Sequence, residues 1–373
     1  MKLITSGESH GKSLTAIIEG LPSHLKIDIN EINYYLALRQ SGYGRGARQK
    51  IESDKVEILS GVRGGETLGS PVALSIKNAD FENWREVMSP EECDVTKRTL
   101  TNVRPGHADL TGMIKYNQTD ARNILERASA RETAVRVAAG TVARQYLKAL
   151  GVEISGYVKG VCGITDSNVY PFEQLAKAKG NPLFMLDNDK QSKAMALLDE
   201  LKKEGDTAGG IIEIRVKGLK SGFGSCMQYS TKLDAILCGS LMSIQAIKGV
   251  EVGLGFEAAN LRGSKVQDEI FYDGKFCRNT NNAGGIEGGM SNGEEIVLRA
   301  AMKPIPTLMK GLRTVDYNTK EAVKAASERS DVAAVCAAEI VAESVVCFAL
   351  ADVVSQRLGG DYMEEVIKRY SDL

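Results

Sequence analysis

Histidine is scarce in this chain. Only His10, His24 and His107 occur, so imidazole chemistry has few positions to occupy. The seven cysteines, at 93, 162, 226, 238, 277, 336 and 347, form no CxxC pair and are odd in number, which excludes a zinc ribbon and a dithiol redox motif. Cys336 and Cys347 sit in apolar runs, where cysteine serves as a small buried hydrophobe. A reducing cytoplasm suits this usage. Neither sign of charge is in excess: 47 Lys plus Arg against 48 Asp plus Glu leave a net charge of -1. That balance offers no global case for nucleic acid or a membrane surface. Residues 1–5 lack an apolar core and a small-residue cleavage site, so no secretory signal peptide is expected. There is no Pro- or Ser-rich linker and no short-period repeat.

Several catalytic signatures are also missing. Without GxxxxGK[ST] nothing specifies a nucleoside triphosphate. Without GxSxG the neighbours Ser9 and His10 are not a hydrolase pair. No HExxH or HxH spacing supports a metal at Glu8, His10, His107 and Asp109, and no metal is expected. The glycine-rich run at 284–293 lacks the dinucleotide fingerprint. It suits either tight turns or backbone lying flat against a planar ligand.

What is present is a folded chain of 373 residues, 43% apolar and 25% charged, enough for one large domain or two ordinary ones. Glycine is abundant: 38 occur, above the usual ~7%, which predicts many close backbone approaches or positive-φ turns. Patterning predicts strands at 3–5, 14–20, 55–62, 70–77, 152–158, 210–217, 249–255 and 295–302. It predicts helices at 28–39, 192–204, 232–244 and 332–357. Ser129-Ala130-Arg131-Glu132 has the form of a capping box before a helical apolar repeat from Ala134 to Leu150. Residues 80–105 and 303–307 read as irregular. Glu339 and Glu343 interrupt the last helix and make it a core helix instead of a membrane span. The order of elements suggests a mixed α+β protein, although a parallel doubly wound sheet is also compatible.

Basic residues recur beside glycines, prolines and caps: Arg39, Arg45 and Arg48 in one loop, Arg104 before His107, Arg127 and Arg131 about Ser129, then Lys303 and Arg329. Such places expose backbone N–H groups, which together with guanidinium forks make anion sites. The alternative is solvated surface charge. The functional reading is a substrate with several anionic groups. His10 and His107 both lie in glycine-flanked loops and are candidates for chemistry, whereas His24, after Pro22-Ser23, reads as a surface residue.

Five ordered segments resemble the chorismate synthase family: Gly7-Glu8-Ser9-His10-Gly11, Arg104-Pro105-Gly106-His107-Ala108-Asp109, Arg127-Ala128-Ser129-Ala130-Arg131-Glu132-Thr133, Ala283-Gly284-Gly285-Ile286-Glu287-Gly288-Gly289 and Arg329-Ser330-Asp331. The resemblance spans nearly the whole chain and implies one catalytic domain over 1–373, with helices sandwiched between antiparallel β-sheets. It implies conversion of 5-enolpyruvylshikimate 3-phosphate to chorismate and phosphate by anti-1,4-elimination, with reduced FMN and no net redox change. It implies a cytoplasmic homotetramer, with NADPH or an external flavin reductase supplying the reductant. By motif, His10 would donate a proton to the leaving phosphate, His107 would stabilise charge at N1 and O2 of the flavin, and Asp331 would relay a proton at N5. Ser9 and Ser129 would support them. FMN would contact Arg127, Ala128, Ser129, Gln245, Ala246, Gly288, Lys303, Pro304, Ile305, Pro306, Thr307 and Arg329. Arg39 and Arg45 match positions associated with NADPH, and with Arg48, Arg104 and Arg131 they suit substrate equally. Ala128 stands where the family commonly has Ser, and Gln245 where Asn is frequent. The other reading is a non-catalytic protein binding FMN or a phosphorylated metabolite on the same fold.

Overall fold

The computed structural model describes residues 1–46, 53–326 and 331–373. Strands β1 (Lys2–Ser6), β2 (Ser13–Glu19), β3 (Val56–Ser60) and β4 (Val72–Lys77) form one sheet in the order β1-β2-β4-β3. Strands β5 (Glu153–Val161), β6 (Ile164–Thr165), β7 (Gly210–Lys217), β8 (Ile247–Val252) and β9 (Ile296–Met302) form a second, ordered β8-β9-β7-β5-β6. Every pairing in both sheets is antiparallel, which removes the doubly wound alternative.

Alternation decides which face each sheet buries. In β2 the buried residues are Leu14, Ala16 and Ile18, and they register against Ile76, Leu74 and Val72 of β4. In β9 the buried set Ile296, Leu298 and Ala300 registers against Val216, Ile214 and Ile212 of β7. Each sheet thus offers one apolar face, which requires a covering layer.

Helices supply it. They are α1 (Ile29–Gln40), α2 (Asp109–Tyr116), α3 (Arg122–Ala128), α4 (Thr133–Lys148), α5 (Asn188–Glu204), α6 (Leu233–Met242), α7 (Val335–Leu358) and α8 (Met363–Ser371). α4 lies on β2 and β4, α7 lies on β5 and β7, and the two helices pack on each other. Both are therefore buried nearly all round, as a middle layer must be. Their contact is close: a Cβ on Gly140 would come 2.4 Å from the Ser344 carbonyl oxygen, so only glycine fits there. One apolar cluster runs through both sheets and this layer.

Two local expectations change. Ser129 caps a 3₁₀ turn at Ala130–Glu132, its Oγ accepting from the Arg131 N–H at 3.2 Å, and α4 begins only after it. Glu132 does not return to the cap, because its carboxylate accepts from Gln245 (2.9 Å) and Arg136 (3.5 Å). α7 begins at Val335 rather than Val332, so Asp331 lies outside its first turn.

Candidate active site

A cleft of about 430 Å³ opens at the N-terminal end of α7, whose Ala337, Ala338 and Val341 line one wall with the preceding Ala334. Small side chains on that wall leave room for a ligand. The remaining walls come from loops and element ends distant in sequence, among them Arg39 at the end of α1 and Thr133 at the start of α4.

The loop after β1 carries Ser9 and His10. Gly7 turns it at φ 108°, where a Cβ would come 2.4 Å from the Ser13 carbonyl oxygen. Asn78 Nδ2 donates to the carbonyls of Glu8 and Gly11, and the Ser9 N–H donates to the Glu126 carbonyl. His10 is buried. Its backbone N–H donates to Glu126 Oε2 at 2.8 Å, and its Nδ1 lies 2.8 Å from Oε1. Its ring stacks on Trp84 with centroids 3.9 Å apart. Burial raises the Glu126 carboxyl, but its bonds from His10 and the His10 and Arg122 charges outweigh that and hold it below its ordinary value. Ser129 Oγ reaches Ser9 Oγ at 3.3 Å, joining this loop to the α3–α4 junction.

His107 follows Gly106, which has φ 74°. Its Nδ1 contacts Asp109 Oδ1, and Arg104 closes the group through Nε to Oδ2 (2.8 Å) and Nη2 to Oδ1 (3.0 Å). Arg104 Nη1 also donates to Thr307 Oγ1 at 3.2 Å. Burial would raise the Asp109 carboxyl; the His107 and Arg104 bonds win and hold it well below the usual carboxylate range. Lys303 Nζ donates to the Gly106 carbonyl, and burial, with Lys248 nearby, lowers its pKa.

Between these groups lies a paired set of arginines. Asp54, with a fully buried side chain, accepts from Arg39 Nη2 at 2.8 Å and from Arg131 Nη1 at 2.6 and 2.8 Å. Burial lowers the Arg39 pKa, partly offset by Asp54. Arg45 pairs with Asp331 at 2.9 Å, and Asp331 Oδ1 accepts the Gly46 N–H at 2.6 Å. Asp331 is thus not a helix cap, the structural role its sequence position suggests; it neutralises an arginine in the cleft. Three buried polar atoms on cleft residues lack a hydrogen-bond partner among the described residues: Arg39 Nε, Arg45 Nε and Gln245 Oε1.

Ala128, Ala246, Ile305 and Pro306 line the cleft with these residues. Ala246 holds φ 68°, a left-handed conformation unusual for alanine. Three predicted contacts do not line it. Arg127 binds Thr5 Oγ1 (2.7 Å) and the carbonyls of Thr5 and Gly7, Pro304 lies beyond the wall, and Gly288 sits in the hairpin of 286–287 with 290–291. Arg48 and Arg329 lie outside the described residues. Glu126, Trp84 and Asp54 carry no motif of their own and escape a reading of the sequence. The one available signal is Glu126 itself, an acid beside Ile124 and Leu125 just before the Arg127 segment. Among the described residues no group of three His, Cys, Asp or Glu is placed to hold a metal, and no helix is long and apolar enough to cross a membrane.

Comparison with known proteins gives one consistent result. The sequence model of the family described as chorismate synthase matches residues 1–355. The chorismate synthase of Syntrophotalea carbinolica is 52% identical over 371 residues, covering 98% of this chain and 96% of that protein. That of Geobacter sulfurreducens is 52% identical over 382 residues, covering 99% and 97%. A crystal structure of a chorismate synthase superposes with a TM-score of 0.80 at 40% identity, covering 100% of this chain and 96% of the other.

Proposed function

The chain belongs to the chorismate synthase family, and from that premise we propose that the cleft at the head of α7 is where 5-enolpyruvylshikimate 3-phosphate loses phosphate to become chorismate. The protein is an enzyme, a carbon–oxygen lyase of the shikimate pathway. The observation that carries the assignment to this cleft is its charge. Arg39, Arg45, Arg104, Arg131 and Lys303 meet there, against the two carboxylates and phosphate of the substrate. Asp54 offsets the charge of Arg39 and Arg131, Asp331 that of Arg45 and Asp109 that of Arg104 before the anion arrives.

The residues present fit a reduced flavin. Arg39 Nε, Arg45 Nε and Gln245 Oε1 are buried polar atoms awaiting partners, and the apolar wall of α7 suits a planar ring. Ser129, Gln245, Ala246, Lys303, Ile305, Pro306 and Thr307 would hold it. Reduced FMN, when bound, supplies electron density toward the allylic C–O bond and a site for the departing C6 proton. His10 donates a proton at Nε2 to the leaving phosphate. His107, backed by Asp109 and Arg104, stabilises negative charge in the site. Asp331 relays the substrate proton, and Ser9 and Ser129 link the His10 loop to the α3–α4 junction. NADPH or an external flavin reductase provides the reductant.

The seven cysteines are unpaired, in keeping with a cytoplasmic enzyme. Exposed Phe256, Ile270, Tyr272 and Phe276 support self-association, which the family resemblance makes a homotetramer; a sedimentation mass of four chains is expected and any smaller mass would rule it out. The functional test is phosphate release from the substrate under anaerobic conditions. Release with dithionite-reduced FMN, none with oxidised FMN and no effect of a chelator are expected; metal-dependent, flavin-independent release would overturn the assignment.

A further inference from the structure

We infer that Glu126 is the positioning residue for His10, fixing the Nδ1–H form of the imidazole so that only Nε2 exchanges protons with the cleft. This rests on the reading of His10 as the proton donor, but the geometry stands apart from it. Both Glu126 oxygens lie within 3.0 Å of His10 Nδ1, and Oε2 also accepts the His10 backbone N–H at 2.8 Å. Ring and backbone are thus tied to one carboxylate, 116 positions away in sequence. An ionised carboxylate has no hydrogen to give, so Nδ1 must carry the proton in the neutral and the cationic ring alike.

A second layer holds the pair. Arg122, one turn earlier on α3, donates from Nη1 to Glu126 Oε1 at 3.2 Å and from Nε to the Arg98 carbonyl at 2.8 Å. The guanidinium groups of Arg98 and Arg122 lie 3.8 and 4.9 Å from the Trp84 ring, while Trp84 stacks on His10 and donates from Nε1 to Asp80. The charged groups about His10 are therefore Glu126 and Arg122 from α3, Asp80 and Arg98 through Trp84, and Glu8 and Lys12 on its own loop. Arg39, Arg104, Arg131 and His107 share the cleft. Among these, Glu126 is the anion in direct contact with the ring.

Nitrogen-detected NMR of the substrate-free wild-type protein tests this without any turnover. Nδ1 protonated throughout, with Nε2 alone titrating, is expected; an Nε2–H neutral form would overturn the inference. The second measurement is Glu126→Gln, whose amide accepts or donates and so permits either ring form. Its kcat should fall tenfold or more with KM little changed, and its pH–rate profile should differ from that of the wild type. Glu126→Asp should recover part of both. The single tryptophan reports on the same contact, because Trp84 fluorescence should follow His10 titration in the wild type and shift with it in Glu126→Gln. A Glu126→Gln enzyme with native kcat and native pH profile would overturn the inference. Should the NMR result hold while His10→Ala remains fully active, the fault lies with the role given to His10 and not with its positioning.

Discussion

At the scale of single residues, the histidines and the aspartate make separable claims. His107 contacts Asp109 and Arg104 and faces the cleft, so His107→Ala should cut the single-turnover rate with reduced FMN by about 10²–10³-fold, as loss of one preorganised electrostatic partner does, with substrate affinity nearly kept. An unchanged rate would remove it from the chemistry. Asp331→Asn keeps an acceptor for the Gly46 N–H but strips the charge that faces Arg45. Turnover should fall roughly 10²–10⁴-fold, the loss typical of acid–base groups, and any loss of melting temperature should trace to the Arg45 pair, since no helix cap is removed. Native turnover would reduce Asp331 to a counter-ion. His10, His107, Ser129, Arg45, Arg104 and Arg131 could be picked out as cleft residues because each stands beside or near a glycine, proline or cap; Arg127, picked out on the same ground, turns to Thr5 and Gly7 instead, and Arg39 lies in the last turn of α1. Glu126, Asp54 and Trp84 could not be picked out in the sequence. They act by meeting those residues across 116, 77 and 74 positions, and no local pattern encodes such a meeting.

At the scale of elements, α7 carries the most telling feature. Glu339 and Glu343, one turn apart, are buried with Lys179 and Arg144. Burial raises Glu339 strongly and Glu343 adds to it, so Glu339 keeps a proton above the pH where carboxyls ordinarily ionise. Burial also works against Glu343, but Lys179 and Arg144 hold its carboxyl below the ordinary range. The two acids should therefore respond unequally to amide substitution. Glu343→Gln removes a carboxylate that pairs with both Lys179 and Arg144, leaves Arg144 without its ion pair and should cost about 3–5 kcal/mol in denaturant unfolding. Glu339→Gln removes the acid whose charge burial disfavours, and should cost less than Glu343→Gln in the same measurement. The sign follows from proton counts: above about pH 4.5 the unfolded chain releases the Glu339 proton and the native chain retains it, so stability falls as pH rises. Glu339→Gln should remove that slope, and equal losses in both variants would refute the assignment of charge. The helix itself was legible from its apolar run, as were α4, α5, α6 and every strand of five or more residues. α2, α3 and α8 were not: they are short, and the helical spacing of Met363, Val366 and Tyr370 in α8 was a signal left unread.

At the scale of the whole molecule, the layered order of sheet, helices and sheet was not legible from periodicity, because strand pairing is non-local and alternation is the same in either topology. The family resemblance supplied it, and the antiparallel registers agree. The assembled cleft also ties stability to pH. Asp109 and Glu126 both have lowered native pKa values, so their contribution is complete above the ordinary carboxylate range near pH 4 and is lost as pH falls through the native values. Acid unfolding should begin below about pH 4, with Asp109 the later group to protonate. Asp109→Asn should flatten that limb; an unaltered acid transition would place its cause elsewhere. The central claim is that this cleft eliminates phosphate with help from a reduced flavin that is not consumed. The most direct measurement is one anaerobic turnover with FMN reduced beforehand, following chorismate, phosphate and flavin absorbance together. Equal amounts of chorismate and phosphate, with the flavin still reduced at the end, are predicted. Phosphate without chorismate, or one flavin oxidised for each phosphate released, would contradict the account.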